Sequence, residues 1–377
     1  MNDLLKYKQV NWIDGMKVNK DHFIGLKNSF NASTVDIMNN VLNDNNYGLL
    51  SLKDDSEGFL NINMVVDNQN YLRVKIINCH AITPGGYRVE ISEEGSDQVD
   101  YTIQDVETDY DLASSSNSEL FLIVSVDPFS GIPEGIANPS EIPLRLPFIS
   151  PEYKLHLIPA EQVVGYKLGP NLLTLSKISI KNNRPEIDDQ YIPPCADIGS
   201  HPRLAEFHSY IDKSISALEK DVVLIISNVN EKRSSNILTN IVIFISENLL
   251  YFVSNNITKI RWSIKSAPPI FLFEIIVNMA RILKNSFDVR TAEEKEVLLN
   301  YFSEHFDIAQ SKFKQLLDNT IAIEYDHTDI YGSIKKSEDF IKVISLLFSE
   351  LSKMELIAGE RKKPVKERKS FDLHIRK

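Results

Sequence analysis

Glu324, Asp326, His327 and Asp329 are the densest group of proton-moving or cation-holding side chains in this sequence. A histidine among carboxylates has the donor set of a metal site or a general acid and base. Acidic loops, however, more often serve solvation, and these four side chains lie in a short polar stretch between apolar segments. His201 and His208 stand seven residues apart on or near a helix, a spacing that puts both on one face, but no third ligand is close to them in sequence. The other histidines are scattered. Cys79 and Cys195 lack both CxxC and Cys/His spacing, which argues against a zinc site or a disulfide framework and for a reducing compartment. The sequence contains no GxSxG nucleophile elbow, GxxxxGK[ST] phosphate loop, HExxH or GxGxxG. The expectation is therefore a non-enzymatic binding protein without catalytic residues, metal or cofactor. A carbohydrate-active or hydrolytic enzyme on a β-sandwich is the alternative, and it would require distant carboxylates or histidines to converge.

A chain of 377 residues is long enough for two or three cores. Its hydrophobic share of 43% and charged share of 25% are those of ordinary globular proteins. The net charge of −11, without a basic stripe interleaved with aromatics, argues against a nucleic-acid binder. The start of the chain has no long apolar core of the signal-peptide kind. The strongest apolar runs, Val222–Ile226 and Ile270–Val277, are too short to span a bilayer, so a cytoplasmic protein is expected.

From about residue 47 to 190, short segments with period-two alternation are separated by Gly, Pro, Asn and Asp. Leu60–Val66, Tyr71–Ile77, Tyr87–Ile91 and Leu120–Val126 are examples, with Pro84-Gly85-Gly86 as a hairpin turn. This pattern predicts an antiparallel β-sandwich. Within this half only Asp21–Leu42 reads as a helix. The prolines of Pro128–Pro151 predict an extended loop or arm, either a surface connection or a contact reaching a neighbouring subunit. Pro193, Pro194 and Pro202 then end the β half and allow a helical half to begin.

In that half, Ile211, Ile215, Leu218, Val222, Ile225 and Val229 alternate at spacings of four and three, a heptad stripe. On pattern alone the stripe either buries one helix in its own chain or forms a seam between copies. A Pro-led helix follows Ala267-Pro268-Pro269. Thr291-Ala292-Glu293-Glu294 has capping-box spacing and opens a helix expected to run to about Asp318. A last helix is expected over about Ser337–Leu356, followed by a basic tail containing Arg361, Lys362, Lys363 and Lys366.

Val10, Trp12, Asp14, Gly15, Met16, His22 and Phe23 belong to a segment that resembles the opening signature of the TssK family, Val-x-Trp-x-Glu-Gly-Met followed by His-Phe. Asp14 stands in place of the usual Glu, and Lys20-Asp21 in place of Pro-Gln. The junction with Tyr191, Pro193 and Pro194 is similar to a Tyr-hydrophobic-Pro-Pro segment of that family, and the Pro-led helix forms a third likeness.

The resemblance implies a homotrimeric baseplate subunit of a type VI secretion system. Its β domain would meet the TssF and TssG wedge, and its far end a membrane-complex component at the inner-membrane face. It implies three parts: a β-sandwich shoulder over 1–190, a helical neck and trimerisation domain over 191–318, and a reduced or divergent head over 319–377. It also casts the N-terminal segment as wedge-facing and favours the α-helical stripe as the trimer seam. A phage-tail-like receptor-binding or baseplate protein is the alternative of the same architecture.

Overall fold

The computed structural model describes residues 7–51, 60–92, 107–111, 119–163, 168–181, 184–232, 236–306 and 310–353. These residues form two compact units. The first takes Met1–Ala205, Ser266–Pro269 and Asp326–Tyr331. The second takes Glu206–Lys265, Ile270–Tyr325 and the described residues from Gly332 onward.

The first unit opens with helix α1 (Lys20–Val41). Asn19 caps it in an extended conformation: its side chain accepts from the His22 amide at 3.3 Å, and His22 Nδ1 accepts from the Asn19 amide at 3.2 Å. This capping box satisfies two amides that the helix leaves without intrahelical acceptors.

Five strands follow: β1 (Gly48–Leu49), β2 (Leu60–Val66), β3 (Tyr71–Ile82), β4 (Arg88–Ser92) and β5 (Glu107–Asp111). All pair antiparallel with β3, which takes β1 and β2 in the order β1-β3-β2 and also pairs with β4 and β5. Leu72, Val74 and Ile76 alternate into the core with Val89 and Ile91, because side chains two apart share a face. The turn at Pro84-Gly85-Gly86 is present, with Gly86 at φ +82° and the Thr83 amide donating to the Tyr87 carbonyl.

A second antiparallel sheet has the order β7-β6-β8-β9, formed by β6 (Glu119–Glu134), β7 (Phe148–Pro159), β8 (Leu172–Lys181) and β9 (Arg184–Ile187). A short helix α2 (Ala160–Val163) follows β7. Leu120, Leu122, Ile123, Val124, Leu173 and Ile178 form the buried centre of this sheet. The expected arm over Pro128–Pro151 is in fact strand at both ends. β6 runs through Pro128 and Pro133 to Glu134, and β7 begins at Phe148 before Pro151. A bulge between Asp127 and Gly131 absorbs the missing proline donor, and only 135–147 remains as the connection.

The second unit is helical, with α3 (Pro202–Lys232), α4 (Ile237–Trp262), α5 (Ile270–Asp288), α6 (Ala292–Phe306), α7 (Gln310–Ile321) and α8 (Tyr331–Lys353). α4 packs on α5 and α6, and α5 on α7. The Thr291 capping box forms, with the Thr291 amide donating to Glu294 Oε2 at 2.9 Å and the Glu294 amide to Thr291 Oγ1 at 3.3 Å. The single helix expected from there to Asp318 is instead two, and Phe313, Leu317 and Thr320 are buried on α7.

α8 from Gly332 onward belongs to the same compact unit as α4–α7. The basic tail lies outside the described residues. α4 is long and apolar enough to cross a membrane, which the sequence reading did not anticipate; its Ile241, Val242, Leu249 and Ile260 are buried in the single chain.

The heptad stripe requires a correction. Ile211, Ile215, Leu218, Val222, Ile225 and Val229 are each at most 4% exposed in the single chain. α3 is tied to α4 by Arg261 and Asp212 at 2.9 Å, to α8 by Ser352 Oγ donating to Asp221 Oδ1 at 3.0 Å, and to α5 by the stacked Phe207 and Phe273 rings. Neighbouring helices of the chain itself cover the stripe, which leaves no seam for a second copy at these side chains.

Candidate interaction surface

The N-terminal segment is held to α1 at a few points and otherwise displays its apolar groups. Val10 is half-buried, and a β-carbon at Gly25 would lie 3.4 Å from its Cγ2. The Met16 amide donates to the Ile13 carbonyl at 3.3 Å across Asp14-Gly15. Gly15 holds φ +77°, a conformation that glycine adopts without steric cost. Trp12 is 46% exposed and Phe23 59%, with their ring centroids 6.3 Å apart; the His22 ring lies 6.0 Å from that of Trp12. His22 therefore has a structural duty in the capping box and sits beside the aromatic pair. Asp14 is exposed.

Further along α1, Asn31 Nδ2 donates to the Pro128 carbonyl at 3.3 Å, which fixes the helix beside β6. Tyr7 stacks on Phe129 at 4.5 Å. The tip of the β6–β7 hairpin is also apolar and open, with Ile142, Leu144, Phe148 and Ile149 exposed. Exposed apolar groups of this kind make both places candidates for protein contact.

The junction is a buried knot within the first unit. Tyr191, Ile192, Pro193, Pro194 and Cys195 are all buried. The Leu49 amide donates to the Pro194 carbonyl at 2.8 Å, and the Ala196 amide to the Leu49 carbonyl at 2.8 Å. Gly48, at φ +112°, lets the Pro194 carbonyl approach so closely that a β-carbon there would collide with it. The segment Asp326–Tyr331 closes the knot. The Ile330 amide donates to the Ile192 carbonyl at 3.2 Å, and His327 Nε2 donates to the Tyr47 carbonyl at 2.9 Å. Burial pushes His327 down to about 4, with the Tyr47 bond opposing in part, and pushes Tyr47 up to about 12, helped by Asp44 and Asp326. The Tyr191 hydroxyl is buried without a hydrogen-bond partner among the described residues, and its pKa is raised well above the ordinary tyrosine value by burial.

The candidate chemical clusters are taken up by local structure. Asp326 Oδ1 accepts from the Thr328 amide and hydroxyl, and Asp329 Oδ1 accepts from the Tyr331 amide. Glu324 is exposed and belongs to the other unit. His201 Nδ1 accepts from the Arg203 amide at 3.2 Å, and His208 Nε2 donates to the Ile260 carbonyl at 2.8 Å. No metal-holding cluster occurs among the described residues.

The sequence reading missed one pair, Ser125 Oγ and His156 Nε2 at 2.9 Å on adjacent strands. Its signal was the period-two register of β6 and β7, whose pairing is a long-range fact. Ser125 Oγ also donates to the Lys154 carbonyl at 3.3 Å.

No family profile and no curated protein sequence matches this chain. Its fold, however, is similar to solved structures. One is a crystal structure of TssK, matched with a TM-score of 0.52 at 11% identity over 90% of this chain and 69% of that one. Another is the type VI secretion TssK–TssF–TssG baseplate subcomplex determined by cryo-electron microscopy, at TM-score 0.48, 10% identity, and 90% and 99% coverage. A third is the baseplate complex from the type VI secretion system, at TM-score 0.47, 12% identity, and 83% and 99% coverage. Antiparallel β-sheets followed by a helical region are thus a TssK-like fold.

Proposed function

We propose that this chain is a non-enzymatic structural adaptor of a type VI secretion baseplate, working as a homotrimer at the cytoplasmic face of the inner membrane. The fold shared with TssK over nine-tenths of the chain carries the reading. In it, the two β-sheets make a shoulder sandwich that binds TssF and TssG, and the C-terminal part faces a membrane-complex component. The exposed Trp12 and Phe23 support a wedge-facing N-terminal segment, and Val10, Gly15, Met16 and His22 shape it from behind.

Trimer contacts then fall on displayed surfaces such as the hairpin tip at Ile142, Leu144, Phe148 and Ile149, in place of the covered stripe of α3. Three copies held together turn weak sites into one strong attachment by raising their effective concentration. The test is capture of purified TssF–TssG by the immobilised chain, alongside a Trp12→Ala, Phe23→Ala double variant. The reading expects capture by the parent chain and a clear loss in the variant. Absence of capture by the parent chain overturns the adaptor reading.

A further inference from the structure

α1 carries apolar side chains on two opposite faces, and one of these faces is exposed. Ser29, Ala32 and Val35 turn inward and are buried. On the other side Lys20, Phe23, Lys27, Phe30, Thr34, Ile37 and Val41 recur at alternating spacings of three and four, the spacing of a coiled-coil seam. Every one of them is exposed, with Phe23 at 59%, Phe30 at 63%, Ile37 at 65% and Val41 at 63%. The 22-residue helix offers a seam about 33 Å long, at about 1.5 Å per residue. Packed inward, such side chains would form a core stripe like that of α3; displayed outward, they lack the covering that the spacing serves.

Charge identifies the occupant. Lys20 and Lys27 are the only ionisable groups in the seam, and the Lys27 ammonium lies at its edge, 3.7 Å from where a β-carbon on Gly131 would stand. The flanking positions Asn19, Ile24, Leu26, Asn31, Ser33, Met38 and Asn40 carry no carboxylate; Asp21 and Asp36 lie outside the seam and its flanks. Copies of α1 laid together in register would set lysine against lysine at two levels, which like-charge repulsion disfavours. We infer that the outer face of α1 receives an amphipathic helix of a different protein, with apolar residues at its own seam and carboxylates facing Lys20 and Lys27. This inference rests on the adaptor reading and names the chemistry of the segment with which a baseplate partner engages the β unit.

The probes are two fluorescent three-heptad peptides, identical but for Glu or Lys at the positions facing Lys20 and Lys27, titrated with the full chain. The Glu peptide binds at least about tenfold more tightly than the Lys peptide at low salt, since opposite charges attract and like charges repel across a packed seam. Lys20→Glu with Lys27→Glu reverses that preference. Phe30→Asp, at an exposed position, abolishes binding while leaving the circular dichroism and melting of the chain unchanged.

Equal binding of the two peptides, or binding of neither, overturns the inference. So does a seam occupied by a second copy, shown by Phe30→Asp lowering the native mass, or by a membrane, shown by Phe30→Asp abolishing sedimentation with anionic vesicles. Purified TssF–TssG separates this inference from the reading beneath it. Equal capture by the parent chain and a variant combining Lys20→Glu, Lys27→Glu and Phe30→Asp discards the α1 surface and keeps the adaptor, whereas peptide discrimination without TssF–TssG capture does the reverse.

Discussion

Leu218→Ala distinguishes a helix buried in its own chain from a seam between copies. Leu218 is 2% exposed in the middle of the α3 stripe, between Ile215 and Val222, which are equally covered. Truncation removes three buried carbons and leaves a void lined by neighbouring helices that relax only in part, a change that costs about 3 kcal/mol. In a unit of this size each kcal/mol moves the midpoint by about 2–4 °C, so melting of the helical unit should fall by about 6–12 °C.

The assay is thermal unfolding followed by circular dichroism at two protein concentrations fifty-fold apart, with native mass measured by light scattering on the same samples. A core stripe predicts the same drop at both concentrations and an unchanged mass. A variant that keeps the parent's dilute-limit midpoint but loses its oligomeric mass would refute the reasoning and restore the stripe to a subunit interface.

Three further outcomes follow from the knot at the junction. His327 titrates near 6.5 when unfolded and at about 4 when folded, so the unfolded chain takes up the proton first as the pH falls. Stability is therefore full above pH 6.5, declines through the window down to 4 and levels off below it; the loss at pH 5 is about 2 kcal/mol by linkage. Denaturant titration at pH 7 and 5 checks this, and His327→Gln should flatten that part of the dependence. Tyr191→Phe removes a buried hydroxyl that has no partner among the described residues and should raise stability by about 1 kcal/mol in the same titration, whereas a fall of that size would reveal a bond to the hydroxyl. Gly48→Ala forces a side chain into φ +112° and against the Pro194 carbonyl, so a loss of at least about 2 kcal/mol, or failure to fold, is expected from strain and overlap together.

Strands β2, β3 and β4, the first part of β6, α1, the turn at Gly85-Gly86 and the junction prolines were legible because each leaves a local mark: period two, period 3.6, a glycine pair or a missing donor. The hairpin of β6 and β7 was not, since prolines normally forbid a strand interior; Pro128 sits in the bulge at Asp127–Gly131, Pro133 lies beyond the pairing of β6 with β8, and Pro151 is on the edge strand β7. β5 was missed because Glu107, Asp109 and Asp111 alternate with Thr108 and Tyr110, polar residues that carry little strand signal.

The α3 stripe shows the sharper limit. Spacing tells which face of a helix is apolar and says nothing of whose atoms cover it. The contacts that decide this, Arg261 to Asp212 and Ser352 to Asp221, cross 49 and 131 residues. Of the candidate site, the exposed aromatic pair lay within one quoted segment, but the structural duty of His22 in the α1 cap required coordinates. The bond from His327 to Tyr47 spans 280 residues and was beyond any local reading. Phe23, Phe30 and Ile37 stood at a visible spacing of seven; what sequence alone withheld is that they face outward.

The most direct test of the adaptor reading is the native mass of the purified chain by light scattering, alone and with TssF–TssG added. The reading predicts three times 43.0 kDa for the chain alone and a larger stable species with the wedge proteins. A monomer whose mass does not change on adding TssF–TssG would contradict it.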